Sequence, residues 1–296
     1  MESKRNGYLF TLLAIGIFAI QDGISKHLGG LYPPVFITMI RFWAFAVFCM
    51  LMAMRGKGGL KAAIATKRPV LQILRGTMLA LQIVVVITSF SLVGLAHSQA
   101  IFAATPIFVA LLSVPLLGEK VGWRRWTAIL IGLCGVIVIL EPGAHGIDPA
   151  LLVPLFASAM FSLYVIATRF VSRDDAASTS FFYTGVAGAV VLSFIGPFYW
   201  AALTPVDWCW MAALCVTGTS SHYFLIRAYD LLDAAAVQPL TYLQLVLAAV
   251  IGVTVFGERL TSHMIIGSMI VVGAGIFTIW RESVVARRRT PDSEPR

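Results

Sequence analysis

The chain has 296 residues, of which 59% are hydrophobic and 12% are charged, and its formal net charge is +8. An ordinary soluble domain has about 25% charged residues, so this composition excludes a soluble domain and predicts a membrane protein with several spans. The four cysteines show no CxxC spacing, so they indicate neither a disulfide framework nor a metal site.

Apolar segments follow one another along the chain. Gly76–Gly118 contains no Asp, Glu, Lys or Arg. At about 1.5 Å per residue, one helix of this length would be roughly twice as long as the ~30 Å hydrocarbon core, so two helices share the stretch. The same argument predicts an all-α membrane protein with ten transmembrane helices, at 8–28, 35–54, 71–93, 97–118, 123–141, 149–171, 180–200, 208–229, 234–257 and 261–281.

The first two predicted spans carry ionisable residues. Asp22 and Lys26 lie one turn apart on the same face of the first span, and Arg41 lies in the second. Ionisable groups are costly inside a membrane and are normally kept for a pathway, a relay or an internal pair, so we expect Asp22 to bear on substrate or coupling. Arg41 is either a structural partner of Asp22 or a second site residue. Lys26, near the end of its span, can extend to the interface.

A repeat links the two halves of the chain. Gly94–Lys120 aligns without gaps with Asp233–Arg259, and the copies share a glutamine near the start and a Gly-Glu at the end, namely Gln99/Gln238, Gly118/Gly257 and Glu119/Glu258. Five spans per half is an odd number, so the second half must be inserted upside down, which is an arrangement common in transporters. The predicted units are a repeat at 1–141, an inverted repeat at 149–281 and a basic cytoplasmic tail at 282–296.

Two details of the repeat carry structural expectations. Each Gly-Glu pair lies at a helix end, where glycine permits the chain to turn and glutamate can cap or brace the next helix. We therefore interpret both glutamates as structural rather than as acid–base groups. Pro106 has no proline partner at the aligned Leu245, so the two halves should not bend alike.

Polar and aromatic residues recur inside several spans. Amides that faced lipid would lack partners, and rings that alternate with amides and hydroxyls suit a cavity that stacks a planar ring and hydrogen-bonds its edge. The polar run Thr217–Tyr223 should line water or substrate, and its histidine is either internally satisfied or a proton carrier. The predicted substrate-binding residues are Asp22, Arg41, Trp43, Gln82, Phe90, Gln99, Tyr164, Tyr183, His222, Tyr223, Gln238 and Tyr242.

The ten predicted spans, the inverted halves, Arg41-Phe42 in the second span and the Gly-Glu-basic endings resemble the EamA family of the drug/metabolite transporter superfamily, over about residues 8–281. That family includes exporters of amino acids and drugs, and importers of vitamins and of S-adenosylmethionine. The segment Gln21–Lys26, followed by Tyr32-Pro33-Pro34, looks more like the importer-type branches, which include riboflavin transporters.

The resemblance implies a secondary transporter of the inner (plasma) membrane that works by alternating access. Its favoured substrate is a planar vitamin such as riboflavin, which is imported; an exporter of amino acids or related metabolites is the alternative. An intramembrane enzyme is the alternative of another class, but no HExxH, GxSxG or metal-ligand cluster supports it, and no GxxxxGK[ST] indicates the use of ATP. We expect a small-molecule substrate and the lipid bilayer as partners, no nucleic acid, no cofactor and a monomer or homodimer.

The basic residues predict the orientation. With a cytoplasmic N-terminus, nineteen of the twenty-two Lys and Arg fall on the cytoplasmic side, and only Lys26, Arg41 and Arg259 do not. Reporters fused after Trp280 and in the Arg55–Arg68 loop should therefore both report cytoplasm, and a reporter in the Glu141–Pro149 loop should report the outside. A cytoplasmic Glu141–Pro149 loop would contradict the inverted repeat.

Overall fold

The computed structural model describes residues 2–56, 58–118, 122–142, 148–232 and 234–289. Within these residues the regular secondary structure is helical, as expected for a backbone that must satisfy its own hydrogen bonds in lipid. The α-helices are α1 Glu2–Gly29, α2 Pro34–Arg55, α3 Gly59–Ile64, α4 Pro69–Val93, α5 Leu95–Phe102, α6 Thr105–Leu117, α7 Trp123–Leu140, α8 Leu152–Val171, α9 Ala177–Ile195, α10 Pro205–Leu231, α11 Ala234–Phe256 and α12 Ser262–Arg289. Short 3₁₀ turns lie at Pro149–Leu151 and Gly196–Tyr199.

Many of these helices are long and apolar. In the described part of the chain, six segments meet the length and hydropathy needed to cross a bilayer, namely Arg5–Gly29, Pro34–Arg55, Pro69–Val93, Leu95–Leu117, Pro149–Val171 and Ala177–Tyr199. Shorter apolar stretches lie in α7, α11 and α12. The protein is therefore an all-helical, multi-pass membrane protein, and these six segments coincide with predicted spans.

The predicted fourth span is broken into α5 and α6. Pro106 has no N–H to donate to the carbonyl of Phe102, and the hydroxyl of Thr105 donates to this carbonyl instead, at 2.6 Å. The aligned copy α11, with Leu245 at the equivalent position, continues without a break. The expectation that the two halves do not bend alike is confirmed.

The two halves of the chain pack closely against each other. α1 packs on α10 and α11, α8 packs on α4, α5 and α6, α2 packs on α9, and α7 packs on α12. Small residues permit the close approach: a Cβ at Gly135 of α7 would lie 3.0 Å from the carbonyl oxygen of Gly267 of α12. Interfaces between membrane helices commonly use glycine in this way.

The Gly-Glu ending of α11 joins three helices. Gly257 has a φ of 66°, which glycine adopts readily, and Gly118 is also left-handed, so the expectation that these glycines turn the chain is confirmed. Glu258 accepts the N–H groups of Leu95 at 2.7 Å and Ala96 at 2.8 Å. It therefore caps α5, in the other half of the chain, rather than the next helix; Glu119 lies outside the described residues.

The space around Glu258 is tightly defined. Lys26 forms an ion pair with its carboxylate and lies 4.3 Å from the centre of the Phe256 ring. A Cβ at Gly94 or Gly252 would lie 2.9 Å or 2.6 Å from a carboxylate oxygen of Glu258. Glu258 thus holds the ends of α1, α5 and α11 together.

A second polar cluster lies at the opposite end of α4. Asp175, between α8 and α9, accepts the Thr66 hydroxyl, the Lys67 N–H at 3.0 Å and the Gln72 amide at 2.9 Å. Burial raises the pKa of Asp175, but these hydrogen bonds outweigh it, so the pKa lies below its ordinary value. The cluster ties the start of α4 to the second half of the chain.

We expect Glu258→Gln to destabilise the protein. The substitution removes the charge that Lys26 and the first turn of α5 bind, and hydrogen bonds to charged groups are each worth about 1.5–3 kcal/mol. Thermal unfolding in detergent should show a lower apparent melting temperature. Glu141→Gln is the matched control, because Glu141 is half exposed and its contact is His263 at 3.1 Å. Equal melting temperatures for the two variants would contradict the bracing role of Glu258.

Candidate substrate cavity

A cavity of about 330 Å³ lies between the two halves. This volume falls within the range of small-molecule sites, roughly 300–1,000 Å³. α1, α2, α4, α5 and α6 supply its walls from the first half, and α8, α10 and α11 from the second. Its polar lining consists of Gln21, Asp22, Ser25, Arg41, Gln82, Gln99, Thr105, His222, Thr241, Tyr242 and Gln244.

Asp22 is bound by amides from both halves. The side chain is 7% exposed, and its Oδ2 accepts the amide of Gln99 of α5 and the amide of Gln244 of α11, each at 2.7 Å. A carboxylate removed from water requires such donors. The two amides therefore fix one oxygen of Asp22 and leave Oδ1 without a hydrogen bond to any described residue.

Arg41 lines the same cavity but is held differently. It is 8% exposed, and among the described residues its guanidinium makes no hydrogen bond and no ion pair within 4.0 Å. Asp22 and Arg41 therefore share the cavity without the direct pairing that the sequence led us to consider, and Asp22 is bound by the two amides instead.

Gly218 of α10 makes room for Arg41. A Cβ at Gly218 would lie 3.0 Å from Nε of Arg41 and 3.3 Å from Oε1 of Gln21. His222, one turn further along the same face, reaches the cavity and packs edge-on against Phe18, with ring centres 5.2 Å apart. A glycine at this position allows a buried cation to lie directly against the helix.

Aromatic rings form much of the remaining wall. Phe102 and Phe161 lie 5.5 Å apart at one side, and Phe18, Phe90 and Tyr242 line other parts of the cavity. The hydroxyl of Tyr242 points at Gly275 of α12, where a Cβ would overlap it, and has no hydrogen-bond partner among the described residues. Tyr242 therefore presents its ring to the cavity and directs its hydroxyl elsewhere.

Seven of the predicted site residues line the cavity, namely Asp22, Arg41, Gln82, Phe90, Gln99, His222 and Tyr242. Four others lie elsewhere, namely Trp43, Tyr164, Tyr183 and Tyr223. Trp43 is 40% exposed and donates its indole N–H to Ser193 at 2.8 Å. Tyr223 is 41% exposed, on the outer surface of α10. The side chain of Gln238 lies outside the described part of the chain.

Tyr164 and Tyr183 belong to the Asp175 end of the bundle. The Tyr164 hydroxyl accepts a hydrogen bond from Arg75 at 3.2 Å, and the Tyr183 hydroxyl donates to the carbonyl of Ile64 at 3.0 Å. Aromatic residues at helical spacing do not reveal which face of a helix is enclosed, which is why the sequence could not separate these two tyrosines from Tyr242.

The polar run of α10 does not line the cavity as a block. The hydroxyls of Thr217, Thr219 and Ser220 donate to carbonyls one turn back in the same helix, at 2.7–2.8 Å, so they need no cavity or water to satisfy them. Within Thr217–Tyr223, His222 is the side chain that reaches this cavity. Thr219, Ser220 and Tyr223 line a separate pocket, so the expectation that the run lines water or substrate stays a prediction.

Gln244 lines the cavity and binds Asp22, but the predicted set of substrate-binding residues does not include it. Its signal was available, because Thr241, Gln244 and Leu245 recur at helical spacing on one face of α11, and all three line the cavity. Phe18, Gln21 and Ser25 likewise share a face of α1 with Asp22 and were not included.

A helical membrane protein with a charged and aromatic cavity between its halves has an architecture that is common among membrane transporters. The sequence profile of the EamA-like transporter family matches residues 5–141 and 149–280. The chain therefore belongs to the EamA-like transporter family, within the drug/metabolite transporter superfamily, and is a transporter rather than an enzyme.

Curated relatives cover nearly the whole chain. The S-adenosylmethionine uptake transporter of Rickettsia prowazekii is 26% identical over 95% of both chains. The riboflavin transporter of Vibrio cholerae is also 26% identical over 95% of both chains. The pseudopaline exporter CntI of Pseudomonas aeruginosa is 24% identical, over 93% of this chain and 96% of its own length.

We expect the ring of Tyr242, and not its hydroxyl, to matter for transport. Tyr242→Leu removes a ring from the cavity wall and should weaken uptake of the transported metabolite several-fold, since a stacked pair is worth about 0.5–1.5 kcal/mol. Tyr242→Phe keeps the ring and should retain uptake at equal protein abundance. A loss of uptake in Tyr242→Phe equal to that in Tyr242→Leu would show that the hydroxyl is what counts.

Proposed function

We propose that this protein is a secondary transporter that takes up S-adenosylmethionine across the inner (plasma) membrane by alternating access. The observation that carries the proposal is the presence of Asp22 and Arg41 in one cavity without a direct contact between them. S-adenosylmethionine has a carboxylate, two cationic centres and a planar purine ring. It can supply opposite charges to both residues and a ring to the aromatic wall.

Riboflavin is the second candidate. The importer-type resemblance of the first half favours it, as does the relative of that name. Its planar ring would stack on Phe90, Phe161 or Tyr242. The molecule carries no charge at neutral pH, however, so it would make no ion pair with the carboxylate of Asp22 or the guanidinium of Arg41. We therefore prefer S-adenosylmethionine, whose charged groups complement both residues, to riboflavin.

We also infer that ten membrane-spanning helices form two inverted five-helix repeats, at 1–141 and 149–281. In this count α5 and α6 together form one span, and the short α3 is not a span. The family profile matches each of these parts separately. In these repeats α1 would be equivalent to α8, α4 to α10, and the α5–α6 pair to α11. The contact between α1 and α10 then has its equivalent in the contact between α8 and α4. The packing of α1 on α11 likewise corresponds to that of α8 on α5 and α6. Related halves that exchange equivalent contacts are the usual basis of alternating access.

The position of the cavity suits this mechanism. Asp22 receives one amide from α5 and one from α11, which are equivalent helices in the proposed repeats. Movement of one half against the other would change both contacts together. Because the sequence contains no GxxxxGK[ST] motif, accumulation would be driven by an ion gradient, and downhill movement by the gradient of the substrate itself.

Proteoliposomes containing the purified chain provide the test. With labelled S-adenosylmethionine outside, we expect uptake above that of empty liposomes, competition by unlabelled S-adenosylmethionine and weaker competition by riboflavin. Asp22→Asn should reduce this uptake at least tenfold, because a buried carboxylate bound to a cationic group contributes about 1.5–3 kcal/mol per hydrogen bond.

The outcomes separate the alternatives. Uptake of riboflavin without S-adenosylmethionine would favour the second candidate. In intact cells, resistance to toxic amino-acid analogues without uptake of either compound would favour an exporter. Glu141→Gln is a suitable control variant, because Glu141 lies at the end of α7 and is not among the residues that line the cavity.

A further inference from the structure

Arg41 is the only guanidinium or ammonium among the described residues that line the cavity. We propose that Arg41 is the receptor for a carboxylate group of the substrate, and that Oδ1 of Asp22 receives a cationic group of the same molecule. This inference rests on the proposed uptake function and specifies how the cavity selects its substrate: it would take zwitterions of the amino-acid type and discriminate against their decarboxylated forms.

The guanidinium of Arg41 donates no hydrogen bond to the described residues. A guanidinium has five N–H donors in a planar fork that fits a carboxylate with two parallel hydrogen bonds. In the described part of the chain none of these donors has a protein partner, although the side chain is almost fully buried. Since a buried charge without a partner is costly, an arginine in such a place is best explained by a ligand that completes it.

Arg75 shows how the same protein holds a structural arginine. Its Nη2 donates to Gln72 at 3.1 Å and to Thr184 at 2.8 Å, and its Nη1 donates to Tyr164 and Thr168, each at 3.2 Å. Neutral oxygens thus surround the cation, although its Nε has no hydrogen-bond partner among the described residues, and Arg75 is not among the residues that line the substrate cavity. Arg41 is also buried but donates no hydrogen bond to a described residue, so the two arginines are held differently.

Asp22 is arranged to complement Arg41. The amides of Gln99 and Gln244 both donate to Oδ2, so they orient the carboxylate and satisfy one oxygen while Oδ1 remains available to an N–H donor or another cation. An amino acid carries both required groups on one carbon. Its ammonium would be bound by Oδ1 and its carboxylate by Arg41, while the rest of the molecule extends along the aromatic wall.

Binding measurements on the purified full chain in detergent test this directly. The probes are S-adenosylmethionine and its decarboxylated analogue, which differ by the carboxylate alone. Wild type should bind S-adenosylmethionine at least tenfold more tightly. Arg41→Gln should weaken binding of S-adenosylmethionine roughly 10- to 100-fold and leave binding of the decarboxylated analogue within about twofold, as expected for loss of charge-assisted hydrogen bonds.

Two controls accompany these measurements. Arg55→Gln removes an arginine from the exposed end of α2 and should match wild type for both probes. Arg41→Lys keeps the charge without the planar fork and should fall between wild type and Arg41→Gln. Without ligand, Arg41→Gln should melt no lower than wild type, because it removes a buried charge that has no protein partner.

Several results would overturn the inference. Equal binding of the two probes by wild type, or an equal loss of both in Arg41→Gln, would show that Arg41 does not read the carboxylate, while uptake of S-adenosylmethionine by wild type would still support the proposed function. A clearly lower melting temperature of Arg41→Gln without ligand would assign Arg41 to structure. If wild type binds riboflavin and not S-adenosylmethionine, the proposed function fails, and unchanged riboflavin binding by Arg41→Gln then overturns the Arg41 inference as well.

Discussion

The arrangement of the molecule's centre depends on one buried carboxylate. Asp22 lies in an apolar bundle, where an ionised group must have donors close by, and it obtains them from two helices that belong to different halves of the chain. This requirement fixes which sides of α1, α5 and α11 point toward the carboxylate. The cavity is the space that remains between these helices, and Arg41, His222 and the aromatic rings take their positions around it.

The sequence predicts the elements well because each physical requirement leaves a local trace. Uncharged stretches of sufficient length predict the helices, Pro106 predicts the break between α5 and α6, and the glycines before Glu119 and Glu258 predict the turns. The inward position of Asp22 and Gln99 is also predictable, because neither has a partner in lipid. These features depend on neighbours in the sequence or on the solvent, and both are known before the fold is.

The partners of these residues could not be predicted in the same way. Gln244 meets Asp22 across 222 positions of sequence, and Glu258 caps a helix 163 positions earlier. Nothing in either local segment specifies the other. Tyr164, Tyr183 and Tyr223 also show the difficulty, since each is a plausible cavity residue by type and spacing but packs at one end or on the surface of the bundle. Whether such a side chain points into the cavity is decided by the rotation of its helix about the helix axis. That rotation depends on all the neighbouring helices together.

The break between α5 and α6 has a consequence for energetics. In the inverted repeat that we propose, two identical halves would give two conformations of equal free energy, related by a two-fold axis in the membrane plane and open to opposite sides. Only the first half contains the Pro106 break, while α11 is continuous, so this degeneracy is lifted. In a protein that alternates as proposed, the two conformations would be unequally populated at rest, and the apparent affinity for one ligand would differ between the two faces of the membrane by the ratio of those populations.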